Sequence, residues 1–254
     1  MRHVEANDYE GVPRAVVAIG NDYPSSFELA PHRHRRAQLL YASEGVVSVS
    51  TAEGAWAAPP QRAVWIPAGV EHAVRMVGAV STRSVLVDPG ICPARASRCE
   101  VLGVSGLLRS LLIVSVDLPE TYDLDGRDGL VMALLAKEID LAPVVPLAVP
   151  FPRAPALAAR CNAFLAEPDA RATIDAWAGA LGLGRRAFTR AFRRETGMSF
   201  QAWRQQACLL TALPRLAAGE PVTTIALDLG YDSPAAFTTM FKRLTGVSPS
   251  RYRF

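Results

Sequence analysis

The chain has 254 residues, half of them apolar, with a net charge of +3 and four cysteines. This length suits two domains of ordinary size, each with its own core. No apolar stretch is long enough to cross a membrane, the N-terminal residues lack the apolar region of a secretion signal, and the cysteines show no CxxC pair. We therefore expect a cytoplasmic protein with reduced, buried thiols, and a redox sensor is the alternative.

The small net charge conceals two unlike halves. Residues 1–152 contain 13 Lys and Arg against 17 Asp and Glu, whereas residues 153–254 contain 14 against 7. A basic half beside an acidic one is the electrostatic footprint of a nucleic-acid-binding region rather than of a generally basic surface.

The N-terminal half is predicted to be an all-β domain. Short apolar runs alternate there with Gly, Pro and Ser, which is typical of strands and turns. These runs are Leu39–Tyr41, Val46–Val49, Ala63–Ile66 and Val85–Val87.

Three of the four histidines of the chain fall in two short patterns, His32-x-His34-x3-Gln38-x6-Gly45 and Pro67-x-Gly69-x2-His72. Residues two apart on a strand share a face, so His32 and His34 are expected to converge with His72. Both patterns resemble the paired motifs of the cupin β-barrel. That resemblance implies a divalent metal held by His32, His34, His72 and the residue at Gln38, where a carboxylate is expected. Since Gln38 brings no charge, we expect weaker metal binding and no oxygenase chemistry.

The alternative for the three histidines is a metal-free effector pocket in which the imidazoles form hydrogen bonds, and a pH sensor is a further alternative. Four residues near the motifs could stack on a small organic effector or belong to the core. They are Tyr41, Trp56, Trp65 and Met76.

Two leucine-rich segments, Glu100–Val114 and Gly126–Asp140, are predicted to be helices that either form a dimer contact or pack on their own barrel. Residues 142–156 contain five prolines and are predicted to be a semi-rigid linker. The expected domains are 1–141 for sensing and dimerisation and 157–254 for DNA binding.

The C-terminal half contains a repeat. Ala187–Ser199 recurs 49 positions later as Ala236–Ser248 with eight identities in thirteen places. Each copy has Phe at i and i+4, so each is predicted to be a helix with one aromatic face. An apolar helix that stops at Gly182 or Gly230 precedes each copy, which predicts two helix-turn-helix units. A helix from Phe200 to about Ala218 joins them, with a kink expected at Pro214.

The segments Ile225–Arg253 and Phe192–Phe200 resemble the DNA-binding domain of the AraC/XylS family of bacterial transcription regulators. The resemblance implies two recognition helices in successive major grooves, an effector-controlled homodimer, and RNA polymerase as a further partner. Carried over position by position, it assigns DNA contacts to Arg185, Arg186, Thr189, Arg190, Ser233, Ala235, Ala236, Thr239, Lys242 and Arg243.

The predicted fold class is therefore α+β in two domains, a cupin-like β-barrel with flanking helices followed by an all-α tandem helix-turn-helix domain. The sequence has no GxSxG and no GxxxxGK motif, and no enzymatic activity is expected. Two alternatives stay open. One is a cupin metalloenzyme with an accessory DNA-binding module, and the other is a helical protein-interaction scaffold that would bind no DNA.

Overall fold

The computed structural model describes residues 6–24, 26–58, 62–95 and 97–252. The chain divides into two compact units. The first comprises the chain up to Thr51 together with residues 56–146, and the second comprises residues 52–55 and the chain from 147 onward. The first unit is rich in sheet and the second is helical, which confirms the predicted fold class.

The first unit is built on a sheet with the strand order β1-β6-β3-β5-β7-β8, in which β2 also pairs with β6 and β4 with β3. Its ladders β1–β6, β3–β6 and β3–β5 are antiparallel. All four apolar runs predicted as strands lie in β3, β5 or β6. The strands of the described chain are β1 Val16–Tyr23, β2 Glu28–His32, β3 Ala37–Thr51, β4 Gly54–Ala58, β5 Arg62–Ile66, β6 His72–Val87, β7 Glu100–Gly103, β8 Val144–Val145 and β9 Ala148–Pro150.

Strand β3 separates two environments. Its residues Leu39 and Tyr41 belong to the main apolar core. Gln38 and Leu40 alternate with them and line a cavity on the opposite face. The period of two along one strand therefore places a packed core on one side of the sheet and an open site on the other.

Two helices, α1 Gly106–Ser115 and α2 Arg127–Leu141, cover the core face of the sheet. Leu112 and Leu135 are fully buried there. The prediction of helix for the whole of Glu100–Val114 was wrong at its start, because residues 100–103 form β7 and pair with β5. Helix α1 begins only after Ser105, whose hydroxyl accepts the Leu108 N–H at 3.0 Å.

Arg95 fixes the C-terminal end of α2. Its Nε donates to the Ile139 carbonyl at 2.8 Å, and its Nη2 donates to the carbonyls of Asp140 and Ala142. Its Nη1 lies 3.0 Å from a Glu100 carboxylate oxygen. The side chain of Arg95 is 5% exposed, yet its charge is paired and its donors are used, which is the condition under which a buried cation is tolerated.

The second unit contains six helices within the described residues, α3 Pro155–Ala166, α4 Ile174–Ala180, α5 Arg185–Thr196, α6 Phe200–Ala217, α7 Val222–Asp228 and α8 Pro234–Thr245. The segment predicted as a linker contains β8, β9 and the first turn of α3. Pro155 starts α3 because a proline at the first helical position loses no hydrogen bond. Helix α6 continues through Pro214 into its last turn.

An aromatic cluster holds the first part of this unit together. Trp177 of α4 lies 4.7 Å from the ring of Phe200 and 5.8 Å from that of Trp203, both on α6. Phe188 and Phe192 of α5 are fully buried against the same group. The predicted aromatic face of the repeat therefore anchors α5 and leaves its other face outward.

Candidate nucleic-acid interface and effector cavity

The two copies of the repeat share one turn geometry. After α4 the Leu183 N–H donates to the Ala178 carbonyl at 2.9 Å, and after α7 the Tyr231 N–H donates to the Ala226 carbonyl at 3.0 Å. Gly182 and Gly230 between them have φ of 65° and 76°, a left-handed conformation that glycine adopts without strain. Each unit is thus a helix, a tight turn and a second helix, as predicted.

The second helices also end alike. The Thr196 hydroxyl donates to the Phe192 carbonyl at 2.7 Å, and the Thr245 hydroxyl donates to the Phe241 carbonyl at 2.9 Å. A glycine in the left-handed conformation follows each threonine. The repeat therefore preserves the hydrogen bonds that set the ends of α5 and α8, and the side chains between those ends differ.

The outward face of α5 is cationic. Arg186, Arg190 and Arg193 are exposed, and among the described residues none of the three has a hydrogen-bond or ion-pair partner. Arg185, also predicted to contact DNA, is already paired, since its Nη1 lies 2.6 Å from an Asp175 carboxylate oxygen. The Thr189 hydroxyl donates to the Arg185 carbonyl at 2.8 Å. The guanidinium groups at 186, 190 and 193 are therefore free to donate to phosphate or guanine, and those at 186 and 190 stand at positions predicted to contact DNA.

The outward face of α8 is smaller and less charged. Ala235, Ala236 and Thr239 are exposed, and the Thr239 hydroxyl donates to the Ala235 carbonyl at 2.9 Å. The Ser233 hydroxyl caps the helix by accepting the Ala236 N–H at 3.2 Å, which gives it a structural role besides any contact with DNA.

At the other end of α8 the two basic residues differ in availability. Lys242 is exposed, whereas Arg243 Nη2 donates to Gln205 Oε1 of α6 at 2.6 Å. A lysine free in this way suits a phosphate contact, which positions the protein without reading sequence.

Helix α6 joins the two helix-turn-helix units. Its 18 residues span roughly 27 Å, less than the 34 Å repeat of the double helix. Its residues Trp203, Cys208 and Leu213 are buried. Burial raises the pKa of the Cys208 thiol to about 12, and that of Cys161 likewise, so neither is a reactive thiolate at neutral pH.

The first unit encloses a cavity of about 250 Å³ on the side of β3 away from the helices. Of the four residues predicted to lie near an effector, Met76 lines this cavity; most of the other lining residues were not predicted, because only the strand pairing brings these positions together. Tyr41 and Trp65 lie instead in the core under α1 and α2, and Trp56 is buried without lining the cavity. Apolar lining comes chiefly from Ile19, Leu29, Leu40, Val74 and Met76, and polar lining from Asn21, Tyr23, His32, Gln38 and Ser84.

The three motif histidines converge beside this cavity, and of the three His32 is among its lining residues. One ring nitrogen from each of His32, His34 and His72 lies within 4.8 Å of the others. His32 and His72 are on strands and pair with each other across the β2–β6 ladder. His34 follows the end of β2, so the predicted shared strand face does not account for the convergence.

The hydrogen bonds of the trio engage Nδ1 of each ring, and in His34 Nε2 is engaged as well, by Gln38. In all three rings Nδ1 bonds to a main-chain carbonyl, that of Ala30, Arg36 or Val70, at 2.6–2.9 Å. The Nε2 atoms are then the ones that can bind a metal, and a carbonyl bond at the other nitrogen is the usual support of a metal-binding histidine. His72 Nε2 is buried and has no hydrogen-bond partner, which fits a missing ligand at this point.

The side chain of Gln38 lies between His34 and Ser84. Its side-chain Oε1 lies 3.1 Å from His34 Nε2, and its Nε2 lies 3.1 Å from the Ser84 hydroxyl. In either orientation of the amide, Gln38 covers the His34 nitrogen that a metal would use. Gln38 also lines the cavity, so one side chain touches both sites.

Burial is the main cause that lowers the pKa of His72 from 6.5 to about 4; the Val70 carbonyl opposes it, and the charges of His32 and His34 add to it. The unfolded chain therefore takes up this proton more readily than the folded one, and stability should fall as pH decreases from about 6.5 to 4. Above 6.5 both states are neutral and the contribution vanishes. Urea unfolding measures this effect. Between pH 7 and pH 5 the free energy of unfolding should fall less in His72→Gln than in the unmodified protein, and an equal fall in both would contradict this assignment.

No helix of the described chain is both long enough and apolar enough to span a membrane.

Two family models match the chain. Residues 15–112 match a model described as an AraC-like ligand binding domain, and residues 177–254 match one described as a helix-turn-helix domain. The chain is 32% identical over 221 residues to the HTH-type transcriptional regulator NimR of Escherichia coli (strain K12). That alignment covers 87% of this chain and 81% of the relative, so it spans most of both proteins.

Two further matches are shorter or more distant. The arabinose operon regulatory protein of Escherichia coli (strain K12) is 36% identical over 67 residues, which are 24% of this chain and 22% of that protein. The solved structure of ToxT from Vibrio cholerae is 10% identical, covers 94% of this chain and 98% of its own, and has a TM-score of 0.39.

Proposed function

The chain belongs to the AraC family of transcription regulators, and we propose that its helices α5 and α8 contact bases in the major groove of an operator. The observation that carries this proposal is the pair of matching helix-turn-helix units with unpaired arginines on the outward face of α5. Arg186 and Arg190 favour guanine, since a guanidinium can donate to both acceptors of its major-groove edge. Ala235, Ala236 and Thr239 offer methyl contacts and weak hydrogen bonds. The helix-turn-helix unit that contains α8 therefore reads fewer bases than the one that contains α5.

The test is selection from randomised double-stranded oligonucleotides by the full chain, followed by footprinting of the selected site. We expect an enriched motif with a guanine-containing half that α5 covers, and binding that weakens steeply with salt. Selection that enriches no motif would overturn the proposal and favour a protein-interaction scaffold.

The first unit is the ligand-binding part of the regulator, and we propose its cavity as the effector site. The supporting observation is the combination of enclosed apolar walls with a few neutral polar groups, the usual composition of a small-molecule site. We also propose that His32, His34 and His72 hold one divalent transition metal, as their converging ring nitrogens and the unpartnered Nε2 of His72 suggest. Cobalt, zinc or iron would supply a Lewis acid there. A metalloenzyme is disfavoured, because Gln38 supplies no carboxylate and its amide is engaged.

A homodimer through α2 is part of this proposal. Leu130 and Leu134 lie one turn apart on α2 and are 68% and 44% exposed, and Leu107 on α1 is 50% exposed. Adjacent exposed leucines form the kind of apolar patch that a second copy of the same chain covers in a two-fold interface.

Leu134→Glu should therefore convert a dimer to a monomer, because a carboxylate cannot be buried in that contact without a partner. Sedimentation velocity of the full chain measures the change. The control is Ser50→Glu on β3, which introduces the same carboxylate at an exposed position outside α1 and α2 and should leave the dimer intact. A dimer that persists in Leu134→Glu would place the interface elsewhere.

A further inference from the structure

Gln38 stands between the histidine trio and the effector cavity. Its amide contacts His34 on one side and Ser84 on the other, and Gln38, Ser84 and His32 all line the cavity. Gln38 is only 8% exposed, so its amide has little water with which to replace a lost partner. Any event that takes His34 Nε2 away from Gln38 therefore leaves a buried polar group that needs a new partner.

Metal binding at the trio is such an event. Ligand nitrogens about 2.1 Å from one ion in a tetrahedral site are roughly 3.4 Å apart, and one ring nitrogen of each histidine already lies within 4.8 Å of the others. His34 must then direct Nε2 to the ion instead of to Gln38. His32 and His72 need no comparable exchange, because their other contacts are Nδ1 bonds to main-chain carbonyls.

A ligand in the cavity is one source of a new partner for Gln38. Among the described lining residues there is no Lys, Arg, Asp or Glu, and the polar groups other than His32 are neutral amides and hydroxyls. A charged ligand would lose its hydration there without an opposite charge. The volume of about 250 Å³ equals the share of roughly eight water molecules in the liquid. This size and lining suit a small, neutral, mostly apolar molecule with one hydrogen-bonding end.

We propose that Gln38 links the two sites: when the trio holds a divalent metal, the Gln38 amide turns from His34 toward the cavity and binds the polar end of a small neutral effector. Metal then strengthens effector binding, and the effector strengthens metal binding by the same factor. This inference rests on the proposed metal and effector sites. The coupling originates in Gln38, which stands where a carboxylate is expected.

The test uses the full chain with Zn²⁺ and benzamide, a neutral aromatic amide, as probes. Calorimetric titration should give a benzamide Kd at least about fivefold lower for the zinc-saturated protein than for the chelator-treated protein. In Gln38→Met, which keeps the side-chain length and removes the amide, the benzamide Kd should be the same with and without zinc. The same variant should bind Zn²⁺ up to about tenfold more tightly, because no hydrogen bond to His34 has to be broken.

A matched control and a second measurement separate the outcomes. Met76→Leu changes the cavity wall without touching the amide, so it can alter benzamide affinity but should preserve the zinc effect. In NMR spectra the side-chain amide signal of Gln38, identified by its absence in Gln38→Met, should shift when Zn²⁺ is added. A signal that does not move, or a benzamide Kd that ignores zinc while zinc binds, would overturn the link and leave the metal site standing.

Two other results bear on different statements. A protein that binds no Zn²⁺ would remove the metal site itself. If benzamide bound neither the zinc-saturated nor the chelator-treated protein, the assigned ligand class would be wrong. Operator selection by α5 and α8 is measured separately, so none of these results decides the DNA-binding proposal.

Discussion

Replacing Arg186 and Arg190 together by alanine is expected to weaken binding to the selected operator by about 2–6 kcal/mol, at about 1–3 kcal/mol for each guanidinium that contacts a guanine. Binding to random DNA should weaken much less, because base contacts carry the difference between specific and non-specific sites. The reason lies in α5, where these two side chains are exposed and have no partner among the described residues. Fluorescence anisotropy with operator and scrambled duplexes at one salt concentration measures both losses.

Lys242→Ala is the control for this prediction. Lys242 is exposed at the end of α8 and is expected to contact phosphate, so its loss should weaken both duplexes alike and reduce the salt slope by about one. If the arginine double variant lost affinity equally for operator and scrambled DNA, α5 would not be reading bases.

Phe192→Ala is expected to destabilise the second unit by about 3–5 kcal/mol, the usual effect of truncating a fully buried aromatic ring. The ring lies 5.6 Å from that of Phe200 and 5.7 Å from that of Trp203, so its removal opens a cavity between α5 and α6. Trp177 and Trp203 report on this unit, and urea unfolding followed by tryptophan fluorescence measures the loss.

The repeat supplies a comparison for this variant. Phe241 occupies the matching position of α8, is also fully buried, and lies 5.7 Å from the ring of Phe237. Phe241→Ala should cost a similar amount, whereas Phe192→Leu should cost less because most of the apolar volume remains. A loss below about 1 kcal/mol for Phe192→Ala would mean that α5 is not held by its aromatic face.

The helical half was readable from the sequence because its signals are local. Phe at i and i+4 and a glycine after each first helix act within one or two turns of chain. The repeat supplies both of these signals twice. The ion pair between Arg185 and Asp175 was not anticipated, because it joins α4 to α5 across the turn and depends on how the two helices cross.

The sheet half was readable only in part, since strand pairing joins residues far apart in sequence. The apolar runs marked the strands, but Glu100–Gly103 became β7 because β5 has an edge to which it pairs. The convergence of His34 with His72 likewise depends on the turn after β2 and not on strand alternation. Tyr41 was predicted near the effector for the same reason, because Tyr41 and Leu40 are neighbours in sequence and face opposite sides of β3.

The two helix-turn-helix units share the hydrogen bonds that shape their turns and helix ends, and they differ in the outward side chains proposed to contact bases. The bonds that fix each turn use main-chain atoms, and those that fix each helix end use a threonine common to both copies. The outward side chains take no part in these bonds. Base preference can therefore diverge in one unit without disturbing its frame, and outward residues transplanted from α5 to α8 would meet a backbone already shaped to present them. A duplicated module of this kind lets target choice evolve faster than the fold that carries it.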